Sequence, residues 1–175
     1  MGGRMMTHAY NRKAATARLS PDPVCARVPE SAGEPYSPLE RAEQLGLHVR
    51  YAELSDSWAW WVPSRRLILL ANRLTAVQER CALAHEVEHA HRGDVDCRAV
   101  EHPAAHIWGR RQESRADEAA ARRLISTAAL EAAMRWADSY EEAAQELQVT
   151  EHMLRVRLRL HRRDLECLDT LRIAG

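Results

Sequence analysis

Apolar and polar positions divide this chain into three stretches. Residues 1–35 scatter Pro21, Pro23, Pro29, Gly33 and Pro35 among few large apolar side chains, which predicts a flexible tail or extended arm rather than packed structure. From Ser37 the pattern becomes regular. Ser37-Pro38 reads as an N-cap followed by the first helical position, opening a short helix that ends near Gly46. Strand-like stretches follow at His48–Leu54, Trp58–Val62 and Arg66–Ala71, the last carrying the run Leu67-Ile68-Leu69-Leu70. With turns at Asp56-Ser57 and Pro63-Ser64, these three strands are expected to form a small antiparallel meander packed on helices.

Thr75 and Gln78 have the spacing of a capping box, no Pro or Gly interrupts the chain from there to Arg92, and Gly93 is a natural stop. A helix over Thr75–Arg92 follows, and the Ala-, Glu- and Arg-rich run Arg111–Ile125 predicts a second. Beyond it the pattern is helical throughout. Ser126 or Thr127 caps a helix through Trp136, Ser139-Tyr140-Glu141-Glu142 forms another capping box, and Thr150 caps a last helix toward Arg163. The expected organisation is a tail over 1–35, an α+β domain over 36–126 and a helical region over 127–175. Ala143, Ala144, Leu147, Val149 and Leu154 follow a helix-turn-helix pattern, and Arg155, Arg157, Arg159, Arg162 and Arg163 make the last helix basic. Glu141, Glu142, Glu146, Glu151, Asp164 and Glu166 dilute that charge, so a structural cap or substrate-recognition arm is favoured over DNA contact.

Composition narrows the function classes. The 175 residues suffice for one ordinary domain with a small appendage, and 25 basic against 25 acidic residues give no global attraction to nucleic acid or anionic membrane. No apolar run approaches the length of a membrane span, and the basic, polar start of the chain lacks the apolar stretch of a secretory signal. Cys25, Cys81, Cys97 and Cys167 are scattered without a paired spacing, which fits free thiols in a reducing cytoplasm. Cys81, one turn before His85, is read as a small core residue.

The chemistry concentrates in His85-Glu86-Val87-Glu88-His89, an HExxH sequence inside the Thr75–Arg92 helix. Two histidines four apart project from one helical face and can reach one small ion, and zinc accepts such nitrogen donors. Glu86 stands beside the first histidine as a proton acceptor rather than a ligand. A catalytic site needs a third protein ligand, and Glu113 is the best placed. Asp117, four residues on and on the same face, can accept a hydrogen bond from the non-ligating nitrogen of a histidine, with His85 the expected partner. The alternative for Glu113 and Asp117 is an ordinary solvated helix face. Glu101 and Glu118 are weaker rivals for the third position. His91 points elsewhere, and His102 and His106 flank Pro103 at a loop or helix start. Tyr51, Tyr140, His102 and His106 remain open as groups that assist at a substrate carbonyl, while Trp58, Trp60 and Trp61 are sheet packing or, for one of them, a substrate subsite.

On Ala84–Ala90, then Glu113-Ser114-Arg115-Ala116-Asp117, then Ala120-Ala121 and Leu124-Ile125, the chain resembles the ImmA/IrrE-type metallopeptidases, gluzincin-like proteins of bacteria and phages. The resemblance covers roughly residues 37–126. It implies a minimal zincin-like α+β fold with a small antiparallel sheet packed on helices, here followed by a helical extension. It further implies one zinc ion (manganese is the lesser alternative) on His85, His89 and Glu113, with Glu86 as general base. The implied activity is endopeptidase cleavage of a protein partner, a transcription repressor or other regulator, in the cytoplasm, in phage immunity, mobile-element transfer or stress response. The competing class is a DNA-binding or repressor-binding regulator with a structural or vestigial metal site. The chain departs from the family pattern at Glu88, where many members have Gly, at Arg115, where many are acidic, and at Ala119, where a bulky aromatic is usual. Glu88 adds negative charge that Arg115 is expected to offset in part.

Overall fold

The computed structural model describes residues 36–94 and 103–173, the side chains of 103–106 and 173 apart. The tail predicted over 1–35, Cys25, Cys97, Glu101 and His102 lie outside the described residues. The elements run α1 (Pro38–Gln44), β1 (His48–Ala52), β2 (Ala59–Val62), a 3-10 turn (Pro63–Arg65), β3 (Leu67–Ala71), α2 (Ala76–Arg92), α3 (Pro103–Leu124), α4 (Thr127–Trp136), α5 (Tyr140–Glu146) and α6 (Glu151–Ile173). The fold is α+β with a helical C-terminal part.

Local chemistry sets most of these boundaries. Ser37 accepts from the Glu40 N–H with Pro38 in the first turn, and Gly46 leaves α1 at φ 64°. Thr75 and Gln78 close a reciprocal capping box on α2, whose end at Gly93 (φ 68°) needs the left-handed backbone that glycine adopts freely. Ser126 caps α4 through the Ala129 N–H. At α5 the expected box is half made: Ser139 accepts from the Glu142 N–H, but the Glu142 carboxylate takes the Asp138 N–H instead. Thr150 accepts from the Met153 N–H and starts α6, which continues past Arg163 to Ile173. The helix expected at Arg111 already begins at Pro103, a residue suited to a first turn because it lacks an N–H.

The sheet corrects the expected antiparallel meander. Its order is β1-β3-β2, with β2 antiparallel to β3 but β1 parallel to it. Leu67–Ala71 is the most continuously apolar strand, and the central position covers it on both edges, whereas a meander would have put Trp60 and Trp61 in the middle. Residues 53–58 are long enough to carry the chain past the place β3 will occupy, since two strand spacings are only about 10 Å. The tight turn ending at Arg66 (φ 48°) then folds β3 back between its neighbours.

Helix α2 stands between two cores. Ala82, Leu83 and Val87 pack with Ala42, Leu47, Ala59, Ile68 and Leu70 on the sheet side. Cys81 and Ala84 face the helical side, where Ala120, Ala121 and Leu124 of α3, with Ile125 just after it, meet α4, α5 and α6. Cys81 is thus the core residue expected, and its sulfur accepts from the Thr150 N–H at 3.4 Å. Arg80 reaches the Gln148 carbonyl at 2.8 Å, so α2 holds the α5–α6 turn by two adjacent residues. The third face of α2 carries the histidines.

Candidate metal centre

His85 and His89 lie one turn apart on α2, and α3 crosses them with Glu113 and Asp117 on its facing side. The Nε2 atoms of the two histidines are 3.0 Å apart; the Glu113 carboxylate lies 3.2 Å from His85 Nε2 and 3.6 Å from His89 Nε2. Among the described residues, these three side chains form the group able to hold a metal ion, with one ligand atom from each within 4.8 Å of the others. Glu86 is buried beside them, and its charge favours the protonated form of both imidazoles.

The opposite ring nitrogens are already engaged. His85 Nδ1 lies 2.8 Å from Asp117 Oδ1, and His89 Nδ1 lies 2.9 Å from Asp94 Oδ2. An ionised carboxylate only accepts, so each Nδ1 carries a hydrogen, and each Nε2 is left to hold either a proton or a metal ion on the side of the cluster. Two nitrogens 3.0 Å apart cannot both present a bare lone pair to each other, so a proton or a metal ion must lie between them. Tetrahedral ligands of zinc, at about 2.0–2.1 Å from the ion, stand roughly 3.3 Å from one another. The separations found here bracket that value, and the donor set of two imidazoles and one carboxylate suits the ion. The residues present therefore fit a zinc ion.

Electrostatics point the same way. Burial opposes charge on His85, but hydrogen bonds with Asp117 and Glu113 and the nearby Glu86 outweigh it and push the imidazole up to about 10. His89 is also raised, with burial and His85 opposing but Glu113, Glu86 and Asp94 prevailing. Hydrogen bonds from both histidines hold Glu113 well below the usual carboxylate range. Asp117 is lowered because, against its burial, His85 and His152 both favour its ionised form. A cluster that binds positive charge this strongly is suited to a dication.

Two contributors were not singled out from the sequence. Asp94 follows Gly93, whose left-handed turn directs the Asp94 N–H onto the His89 carbonyl at 3.0 Å and brings the side chain back over the ring it bonds. An Asp directly after a helix-ending Gly, five beyond the second histidine, was the available signal. His152, in the first turn of α6, places Nε2 2.9 Å from Asp117 Oδ2. No local pattern could have announced that contact, because it depends on how α6 packs on α3.

Other candidates are drawn elsewhere. Glu118 pairs with Arg163 at 2.9 Å, His91 meets Arg41, Tyr51 donates to Glu79 at 2.7 Å, and Tyr140 lies against the Arg155 guanidinium. The His106 side chain is not among those described. The charge of Glu88 is met by Arg123 (Nε to Oε1, 2.5 Å), a partner not singled out from the sequence. Glu88 lies on the inner side of α2, within reach of the inner face of α3; Arg115 is on the exposed face. Trp61 donates from Nε1 to the Asp94 carbonyl at 3.3 Å, tying β2 to the end of α2, while Trp58 and Trp60 are exposed.

A family model, that of the IrrE N-terminal-like domain, a peptidase family, matches residues 42–159. The chain belongs to this family. The match spans well over half of the 175 residues and includes the histidine helix, the glutamate helix and the start of α6. IrrE-like chains are of metallopeptidase type, which accords with the donor set found on α2 and α3. No curated protein matches this sequence. No helix among the described residues is long and apolar enough to cross a membrane.

Proposed function

We propose that this IrrE-like chain is a zinc-dependent endopeptidase acting on a protein substrate in the cytoplasm, a transcription repressor or other regulator. The observation that carries the reading is the convergence of His85 Nε2, His89 Nε2 and the Glu113 carboxylate beside a buried Glu86. A purely structural metal site has no use for that last residue. Zinc on these three side chains would supply Lewis acidity toward a peptide carbonyl and a lowered pKa for water.

The remaining roles fall to the chain. Glu86 accepts a proton from the attacking water and returns it to the leaving amine nitrogen. Asp117 and Asp94 fix which nitrogen each imidazole presents. Strand β2 pairs with β3 along one edge and is tied to the end of α2 by Trp61, so its other edge can take an extended peptide by backbone hydrogen bonds close to the site.

The regulator reading draws on α5 and α6, which form a helix pair with Ala143, Ala144, Val149 and Leu154 buried between them and the core. In a DNA reader the first turns of the second helix face the groove. Here His152 in that first turn is bonded to Asp117, which supports a role for α6 at the peptidase site.

The test is to express wild type and Glu86→Gln in the native host and compare newly formed protein N-termini. Termini that arise with wild type and not with the variant, at equal zinc content, support the reading and identify the substrate. A Glu86→Gln protein that still generates them refutes the assignment of Glu86.

A further inference from the structure

We infer that Asp94 is a positioning residue for the metal centre, holding His89 as Asp117 holds His85, and that it sets the affinity of the site. The inference rests on the reading of His85, His89 and Glu113 as ligands.

Four contacts distinguish Asp94 from a passing surface carboxylate. Its Oδ2 accepts from His89 Nδ1 at 2.9 Å, and its Oδ1 accepts from Gln112 Nε2 of α3 at 3.3 Å. Its backbone is fixed from both ends, the N–H on the His89 carbonyl and the carbonyl under the Trp61 indole. Its side chain is only 15 % exposed. A carboxylate gripped by α2 and α3, on a backbone tied to β2, is held against the ring, so it keeps the imidazole in one orientation with Nε2 directed at the cluster. Gln112 precedes Glu113, so the element that aims Asp94 also carries the third donor.

The hydrogen bond does more than orient. A neutral imidazole that donates to an anion is a more basic ligand through its other nitrogen, and removal of such partners typically weakens metal binding about 10–100-fold. Both histidines of this site have such a partner, one placed by α3 and one by the turn after α2. A site with only one of the two partners would leave the shared ion unevenly held.

The experiment measures zinc affinity of the full chain by competition with a coloured chelator, for wild type, Asp94→Ala, Asp94→Asn and Asp94→Leu. Asp94→Ala should bind zinc about 10–100-fold more weakly. Asp94→Asn, which keeps an acceptor for Nδ1–H, should recover part of the loss, whereas Asp94→Leu, which fills the space without an acceptor, should recover none; equal recovery by both would mean a merely space-filling role and overturn the inference. Asp94→Ala within about twofold of wild type overturns the inference and leaves the ligand assignment standing. A folded wild type that binds no zinc overturns both. Should the Ala variant fail to fold, nitrogen-resolved NMR of the histidine rings in zinc-loaded wild type decides the matter. His89 must carry its hydrogen on Nδ1, and a bare Nδ1 overturns the proposal.

Discussion

Replacing Arg123 by Ala tests how the fold tolerates an acidic residue inside its histidine helix. Glu88 is 3 % exposed and its carboxylate meets Arg123 Nε, which is itself 27 % exposed and lies over the Tyr36 ring. Removing one partner of a fully buried pair costs about 3–5 kcal/mol, because the other charge is left without compensation. Arg123 has a wet side, so water can enter the vacated space, and about 2–3 kcal/mol is the better expectation. For a chain of this size that corresponds to a fall in melting temperature of roughly 6–9 °C. The assay is urea and thermal unfolding of wild type, Arg123→Ala, Glu88→Ala and the double variant. The double variant should be more stable than Arg123→Ala alone, since it no longer buries an unpaired carboxylate. Arg123→Ala within about 0.5 kcal/mol of wild type would refute the reasoning, as would a double variant less stable than that single one.

Glu113→Ala should reduce bound zinc from about one ion per chain to a small fraction, read by elemental analysis, because two imidazoles alone make an incomplete site. Arg157 is buried on α6, where Nε donates to the Ile125 carbonyl at 2.8 Å and a terminal nitrogen to Thr127 Oγ1 at 2.7 Å; Arg157→Leu should lower stability by about 1–3 kcal/mol for each buried group left unpaired, read from the urea midpoint. Asp164 accepts two 2.7 Å hydrogen bonds from Arg122, which hold its carboxyl below the usual range of 3.8. A lowered folded-state value gives stability that is present above the unfolded value and lost as pH falls through the folded one. The gap in stability between wild type and Asp164→Asn should therefore be widest above the usual carboxylate value and narrow as pH falls below it, and a gap independent of pH would count against the pair.

How legible the molecule was depends on the range over which each signal acts. Helix starts at Ser37, Thr75, Ser126 and Thr150 were readable because a cap bonds a backbone N–H three residues away. The pairing of His85 with Glu113 and Asp117 was readable because two helices, each with a four-residue spacing, had to present matching donors. Strand pairing was not. Alternation identifies a strand but says nothing of its neighbours, and the competition for the sheet centre was settled by which strand most needed covering on both edges. The partner of Glu88 escaped for a related reason. Arg115 and Arg123 are both close in sequence to the glutamate helix's motif, but eight residues is more than two turns, and only the face toward α2 matters.

The C-terminal helices are better understood from the contacts that hold them than from their pattern. Arg80 and Cys81 of α2 grip the α5–α6 turn, Arg122 and Glu118 of α3 pair with Asp164 and Arg163, and His152 closes on Asp117. Each of these links joins α6 or its leading turn to one of the two helices that carry the candidate metal donors. The family match agrees, since it runs to residue 159 rather than stopping at the glutamate helix. A helix pair that evolved only to read DNA would keep the first turn of its second helix clear of its own protein. In this chain that turn lies against the acid that orients His85, so displacement of α6 would be felt at the histidine before it was felt anywhere on a groove-facing surface.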